Sequence, residues 1–388
     1  MLSGQSPCGA SRTAQLELRL PLIAVLILLL LLTACDDGSN NDASGAATQS
    51  PRVTATRSPR PSRSPTPTPV PALRLADIFP PRDLTPLNLD PKRVRTLIAT
   101  GDVIPARYTD VIIRQRGDDF LYPVAATMDI TSAADLTVIN LEAPLIEACP
   151  YHDAGLVFCG RPGIIGAFQA AGVDVATLEN NHIGNYGPEA VTETVGHLEA
   201  AGMRWADRDT PAVVDVHGLK FGFLAYNGVE HVLPREEMVA QIKALRPKVD
   251  VLAVAVHWGA EYVSIPQAVP PVADDNPVEI AHLAIDAGAD LLIGNHPHWV
   301  QAVEVYKGKF IAYAHGNFIF DQMWSYETRV GVIGKYSFYD KTLVGVEFIP
   351  TLIDNYAQPV PLEGAERQAV LDGMKAASEQ LAVGLAGQ

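Results

Sequence analysis

The chain has 388 residues, 48% of them hydrophobic, with 29 basic against 44 acidic side chains and a formal net charge of -15. Length and apolar content support one large folded domain or two medium ones once removable segments are set aside. The charge excludes a nucleic-acid partner, because no general positive field is present to gather phosphates.

Residues 1–35 read as a leader. Arg12 and Arg19 precede an apolar run from Leu20 to Leu32, short for a bilayer span and the size of a signal-peptide core. The run ends in Leu32-Thr33-Ala34-Cys35, which resembles a bacterial lipoprotein cleavage box whose cysteine takes the lipid; an uncleaved membrane anchor is the alternative. Several acyl chains on Cys35 would hold the protein durably on the cell membrane, with the folded part extracytoplasmic. Residues 36–72 are rich in Ser, Thr and Pro, carry Arg52, Arg57, Arg60 and Arg63, and lack the apolar residues needed to fold. They predict a disordered stalk, in part polyproline II at about 3.1 Å per residue. Cys8 leaves with the leader and Cys35 takes lipid, so Cys149 and Cys159 remain as a disulfide in an oxidising compartment, or alternatively as metal-binding thiols.

A lead-in over 73–93 precedes a domain expected over 94–352, with a polar helical tail over 353–388. Val94 to Thr100 predicts a strand running into Gly101-Asp102, with Arg107 shortly after; an aspartate there either caps a turn or serves a site. Asp135 to Glu142 predicts a second strand, and a carboxylate directly after a buried strand costs solvation unless it is exposed or bound. The Cys149 to Cys159 loop, Arg161-Pro162 and a helix to Ala171 follow. Val173 to Leu178 is a third strand, ending in Glu179-Asn180-Asn181-His182. Pro188 opens a helix to about Met203, in which His197 is structural. Lys220 to Tyr226 is a strand and Arg235 to Arg246 a helix. Val249 to Val256 is the longest apolar strand, reads as central and parallel, and delivers His257-Trp258-Gly259 with Glu261 close behind. Val278 to Ala287 is a helix whose His282 faces the surface or packs. Leu291 to His298 reads as a strand in which Pro297 keeps the chain extended, so that His296 and His298 point the same way. A hairpin over Val303 to Ala314, His315-Gly316-Asn317-Phe318 and a strand over Leu343 to Ile349 complete the pattern.

Strands alternating with helices predict an α/β fold, in which ligands gather beyond the carboxyl ends of the strands. Asp102, Glu142, Asn181, His182, His257, His296 and His298 all fall there. A mixed His, carboxylate and Asn set suits one or two divalent ions of Mn, Fe or Zn better than Ca or Mg. Two such metal ions side by side stabilise the attacking and leaving oxygens in a displacement at phosphorus. Arg107 and Arg161 either clamp a phosphoryl or carboxylate group or make surface salt bridges.

The ordered set Gly101-Asp102, Asn140-Leu141-Glu142, Asn180-Asn181-His182 with Gly187, His257-Trp258-Gly259 with Glu261, Gly294-Asn295-His296-Pro297-His298 and Gly316-Asn317-Phe318 resembles the bacterial CapA-like proteins. That family is associated with capsule and poly-γ-glutamate synthesis, and the resemblance runs from about Val94 to Pro350. It implies a calcineurin-like metallophosphoesterase fold, a four-layer α/β/β/α sandwich. It also implies that Asp102, Glu142, Asn181, His257, His296 and His298 are metal ligands and that His182 is the general acid. Asn185 stands where the family usually has aspartate, so it can orient His182 without supplying charge. Ile104 occupies a calcineurin-type ligand position, which makes a full two-metal site less secure than a single ion. His315, where leucine is common, is either a replacement ligand or proton donor, or a packing residue; with Arg161, Glu261 and Asn317 it completes the candidate substrate contacts. The implied partners are the membrane, through Cys35, and the capsule polymer or its synthase complex. Three functions stay open: a capsule or poly-γ-glutamate accessory protein with a phosphoesterase-like site, a secreted metallophosphoesterase or nucleotidase unconnected with capsule, and a non-catalytic scaffold. An acidic domain should repel a polyanionic polymer unless metal and arginines form a local positive cleft.

Overall fold

A computed structural model describes residues 70–387, which belong to a single compact unit. The leader, Cys35 and the stalk through residue 69 lie outside the described residues. The chain runs through β1 (Val94–Val103), α1 (Tyr108–Gln115), α2 (Met128–Thr131), β2 (Leu136–Leu141), α3 (Ile164–Ala170), β3 (Val175–Thr177), α4 (Pro188–Ala200), β4 (Arg204–Ala206), β5 (Ala212–Val216) and β6 (Leu219–Asn227). It continues through α5 (Arg235–Leu245), β7 (Val251–His257), α6 (Pro277–Ala287), β8 (Leu291–Asn295), β9 (Val303–Tyr306), β10 (Lys309–Ala312) and β11 (Asn317–Ile319). The last elements are α7 (Tyr326–Arg329), β12 (Val330–Tyr339), β13 (Thr342–Asp354), β14 (Gln358–Pro361) and α8 (Gly364–Ala386).

Two sheets form, one in the order β14-β13-β12-β1-β2-β3-β4 with β11 also against β1, the other in the order β5-β6-β7-β8-β10-β9. The run β1 to β4 is parallel, as is β6-β7-β8-β10; antiparallel strands lie on the β14 side of the first sheet and at both edges of the second, while β4 ends the first sheet as a parallel edge strand. The two-residue period of a strand decides what each side chain meets. Leu97 and Ala99 of β1 pack between the sheets with Phe221 and Phe223 of β6 and Leu291 and Ile293 of β8. Ile98, turned the other way, joins Ile139, Ala176, Phe168 of α3 and Leu198 of α4. On the far side, Leu224, Leu252 and Val254 pack on Met238 and Ile242 of α5 and Ile280 and Ala281 of α6. The layers are therefore α/β/β/α, and β7, buried along its whole length, runs through the middle of its sheet.

Several expectations need correcting. The lead-in is part of the core, since Leu73 and Ile78 are buried between the sheets. The tail expected as helix from residue 353 begins with the end of β13 and all of β14, and only then forms α8, which buries Leu371 and Met374 against the same core. His296 and His298 do not sit on extended backbone: β8 stops at Asn295, and the two histidines take φ of 96° and 57°. Left-handed φ at a non-glycine residue is strained and persists where packing over-determines it. The disulfide expected between Cys149 and Cys159, by contrast, is present. Among the described residues, no helix is long and apolar enough to cross a membrane.

Two glycines beside the ligand positions are there because backbones touch. A Cβ on Gly101 would lie 2.0 Å from the Gly316 carbonyl oxygen, and one on Gly294 would lie 1.9 Å from that of Tyr313. Gly294→Ala is accordingly expected to cost about 3 kcal/mol or more through forced overpacking. Gly373→Ala, in an open position on α8, should instead gain about 0.5–1 kcal/mol through helix propensity. Urea unfolding of the two variants side by side checks both signs.

Candidate functional site

The candidate ligands arrive from five strand ends. Asp102 is the penultimate residue of β1, Glu142 follows β2, Asn181 lies beyond β3, His257 ends β7, and His296 and His298 follow β8. Asp102, Glu142, His257, His296 and His298 are all buried. One donor atom each from Asp102, Glu142 and His257 lies within 4.8 Å of the other two. His257 Nε2 is 2.9 Å from Asn181 Oδ1 and 3.3 Å from Glu142 Oε1. The His296 ring stands 4.9 Å from His257 and 5.9 Å from His298, centre to centre.

Asparagine amides hold this cluster. Asp102 Oδ1 accepts from Asn140 and from Asn295, each at 2.9 Å. Asn140 also donates to Glu142 Oε2 at 3.3 Å and accepts from Asn180 at 3.1 Å. Asn317 donates to the Thr328 carbonyl at 2.8 Å, which turns its Oδ1 towards His298 Nδ1, also at 2.8 Å. His298 Nδ1 therefore carries a proton, shared with Asp102 Oδ2 at 3.1 Å, and its Nε2 is turned towards Glu261 Oε1 at 3.8 Å.

Charge in this dry space is divided unevenly. Burial pushes the Glu142 carboxyl well above its ordinary range, and the neighbouring Asp102 charge pushes the same way. Burial opposes ionised Asp102 too, but the bond from His298 and its charge hold that carboxyl below the usual range. For His298, burial is outweighed by its bond to Asp102 and it is raised to about 9. Burial lowers His257 to about 4, and His296 falls well below its ordinary value for the same first reason. Two carboxylates and three imidazoles at one point cannot all reach their preferred charge states unaided.

A divalent cation fits this set. Glu142 Oε1, His257 Nδ1 and both ring nitrogens of His296 are buried and lack any hydrogen-bond partner. An unpaired buried polar atom costs about 1–3 kcal/mol, so a cluster of them implies an absent partner. The mixture of nitrogen and oxygen donors is that of borderline ions.

His182 lies at the edge of the cluster. Its Nδ1 is 3.1 Å from Asn185 Oδ1, which also accepts the Phe158 N–H at 2.7 Å. That second bond fixes the amide's orientation, so His182 Nδ1 is the donor and Nε2 carries the lone pair. The Phe158 ring packs 4.2 Å from the imidazole. Burial lowers His182 to about 4.

The structure assigns other work to several residues expected to meet substrate. Arg107 is spent on Asp321, on the Gly155 carbonyl at 2.7 Å and on the faces of Phe158 and Phe320. Arg161 binds Asp110 and Asp118, each at 2.7 Å, and holds the segment after β2 against α1. His315 is fully buried, bonded to the Tyr336 hydroxyl at 2.8 Å, and packs against Phe348. Asn317 is also fully buried and orients His298, so neither reaches solvent. Glu261 has a side chain 40% exposed, with Oε1 3.8 Å from His298 Nε2. Sequence reasoning assigned no role to Asn140, Asn180, Asn295, Phe158 and Asp321; the available signal was an asparagine one or two positions before Glu142, Asn181 and His296.

Residues 96–322, more than half of the chain, match the family model described as bacterial capsule synthesis protein PGA_cap. PGA biosynthesis protein CapA of Bacillus subtilis is 27% identical over 288 residues, 68% of this chain and 72% of that protein. Capsule biosynthesis protein CapA of Bacillus anthracis is 26% identical over 302 residues, 70% of each chain. A probable polyglutamine synthesis accessory protein of Mycobacterium tuberculosis is 27% identical over 225 residues, 49% of this chain and 57% of that one.

Protein purified without chelator should carry divalent metal, and His296→Ala/His298→Ala should lose it while keeping its far-UV circular dichroism. Metal at a hundredfold its dissociation constant is expected to stabilise the wild type by about 2.7 kcal/mol. Elemental analysis with thermal unfolding, before and after EDTA, measures both.

Proposed function

Because this chain belongs to the bacterial capsule synthesis family PGA_cap, within the metallophosphoesterase-like superfamily, we propose that it is a membrane-anchored, extracytoplasmic accessory protein of capsule or poly-γ-glutamate synthesis with a metal-dependent phosphoesterase-like site. The observation that carries the reading is the convergence of unpaired buried donors from Glu142, His257 and His296 beside Asp102. Asp102, Glu142, Asn181, His257, His296 and His298 would hold one or two ions of Mn, Fe or Zn. Such an ion supplies charge neutralisation and Lewis-acid polarisation of a phosphoryl group.

The chain's own part is positioning and proton handling. His298 is locked by Asp102 and Asn317, with Nε2 turned to the opening beside Glu261. His182 presents Nε2 as a lone pair and is neutral near pH 7, so it accepts a proton more readily than it gives one. To act as an acid towards a leaving oxygen it would need a carboxylate where Asn185 stands, which would favour the imidazolium. The arginines expected to form a positive cleft are both engaged in ion pairs. This favours chemistry on a phosphoester intermediate over a direct grip on an anionic polymer.

Turnover of a bis-aryl phosphate diester that vanishes with chelator supports the site; a metal-loaded protein with no turnover supports the scaffold reading instead. Asn185→Asp keeps both hydrogen bonds, adds the missing charge, and should raise turnover by about tenfold or more, within the range of general acid catalysis. Unchanged rates would remove residue 185 from the mechanism. For the anchor, Cys35→Ser should shift the protein from the membrane fraction to the soluble extracytoplasmic fraction; retention on the membrane would favour an uncleaved leader.

A further inference from the structure

Six large apolar side chains are more than half exposed among the described residues: Tyr151, Leu156, Val157, Val232, Trp324 and Val383. Val383 lies near the end of α8, while the other five lie on three loops that leave the carboxyl ends of β2, β6 and β11. Those are the ends that surround the cluster. Single exposed apolar residues are ordinary, but five on the loops around one opening mark a surface built to meet something apolar.

Each loop is tied to the site. Leu156 (74% exposed) and Val157 (54%) lie between Gly155, whose carbonyl accepts from Arg107 at 2.7 Å, and Phe158, whose ring is 4.2 Å from His182. The loop with Val232 (66%) starts at Gly228, whose N–H donates to the His257 carbonyl at 2.8 Å. Trp324 (62%) meets Tyr262 edge to face at 4.9 Å, and Tyr262 is 6.2 Å from the His298 ring.

Charge narrows what can bind. Glu261 stands at this opening, Glu230 lies exposed on the β6 loop within electrostatic reach of His182, and the Arg107 guanidinium is held in an ion pair with Asp321 and by the Gly155 carbonyl, its side chain only 14% exposed. A ligand with repeated carboxylates meets repulsion at the rim. A ligand with one anionic group at the end of a hydrocarbon chain satisfies the metal-type donors with its head and the rim with its tail.

We propose, on the basis of the phosphoester reading above, that this site takes an amphiphilic phosphoester: the phosphoryl group at the cluster and an extended hydrocarbon chain across Leu156, Val157, Val232 and Trp324. Each methylene withdrawn from water is worth about a fourfold gain in affinity, so a chain only partly covered by an open rim should gain about tenfold or more over a short one.

The test is calorimetric titration of the metal-loaded protein with dodecyl phosphate below its micelle concentration and with ethyl phosphate. Dodecyl phosphate should bind about tenfold more tightly or better. In Leu156→Ser/Val157→Ser/Val232→Ser/Trp324→Ser the gap should close to within about twofold, with metal content and ethyl phosphate affinity unchanged. Trp324→Ser alone, a single change on an exposed loop, should narrow the gap if the quadruple variant does not fold. Equal affinities in the wild type overturn the amphiphile and leave the phosphoester reading standing. Binding of neither phosphate to metal-loaded protein overturns both. A gap that survives the rim substitutions places the chain elsewhere and overturns the rim assignment.

Discussion

Two carboxylates taken wholly out of water, Asp102 and Glu142, set the terms for the rest of this site. Burying one ionised carboxylate costs several kcal/mol unless it is paired, and burying two side by side adds their repulsion. The surrounding residues answer that cost in kind. Asn140 and Asn295 donate to Asp102, His298 stands against it as a cation, and Glu142 keeps one oxygen that accepts no hydrogen bond, although His257 Nε2 lies 3.3 Å away. What stays unmatched is a group of buried atoms without hydrogen bonds, Glu142 Oε1, His257 Nδ1 and both ring nitrogens of His296, gathered beside Asp102.

The sheets deliver that arrangement through close contact of backbones. The β1 ladder slips register against β2 between Ala99 and Asp102 and against β11 between Asp102 and Val103, while the Asp102 N–H bonds to Gly316. Irregularities of this sort re-aim side chains at sheet ends. Here they turn Asp102 into the seam between the sheets. The same seam explains the strained φ at His296 and His298: the chain leaving β8 must fold sharply to bring both rings back over Asp102. Asn317, whose Oδ1 receives His298, is already locked to the Thr328 carbonyl.

Outside the cluster, one loop links several functions. The segment from Cys149 to Cys159 is closed by a disulfide at its base and pinned by Arg107 near its tip. It supplies the Phe158 N–H that orients Asn185 and through it His182, and it also carries the exposed Leu156 and Val157. Arg107 thus serves the site by holding this loop, with Asp321 as counterion. Its charge is paired by Asp321 and its side chain is only 14% exposed, which leaves the opening acidic and apolar in character.

The sequence alone determined that strands alternate with helices, that β7 is central, and that ligand-type side chains collect at strand ends, because a two-residue period and an apolar run ending in a polar residue are local signals. The family was also legible there, carried by short motifs such as Asn180-Asn181-His182 and Gly294-Asn295-His296-Pro297-His298 whose spacing survives in a linear string. The sequence did not determine that Arg107, His315 and Asn317 are turned inward to Asp321, Tyr336 and His298, because the partners lie 214, 21 and 19 residues away and the choice is made by packing. Nor did it show that the lead-in belongs to the core or that β14 extends the first sheet, since Leu73 and Ile78 gain a reason to be buried only when two sheets close over them and β14 is defined by its pairing with β13. Residue type and spacing announce which groups can bind an ion; only tertiary structure decides which of them are left without any other partner, and that unmet demand is what makes a site.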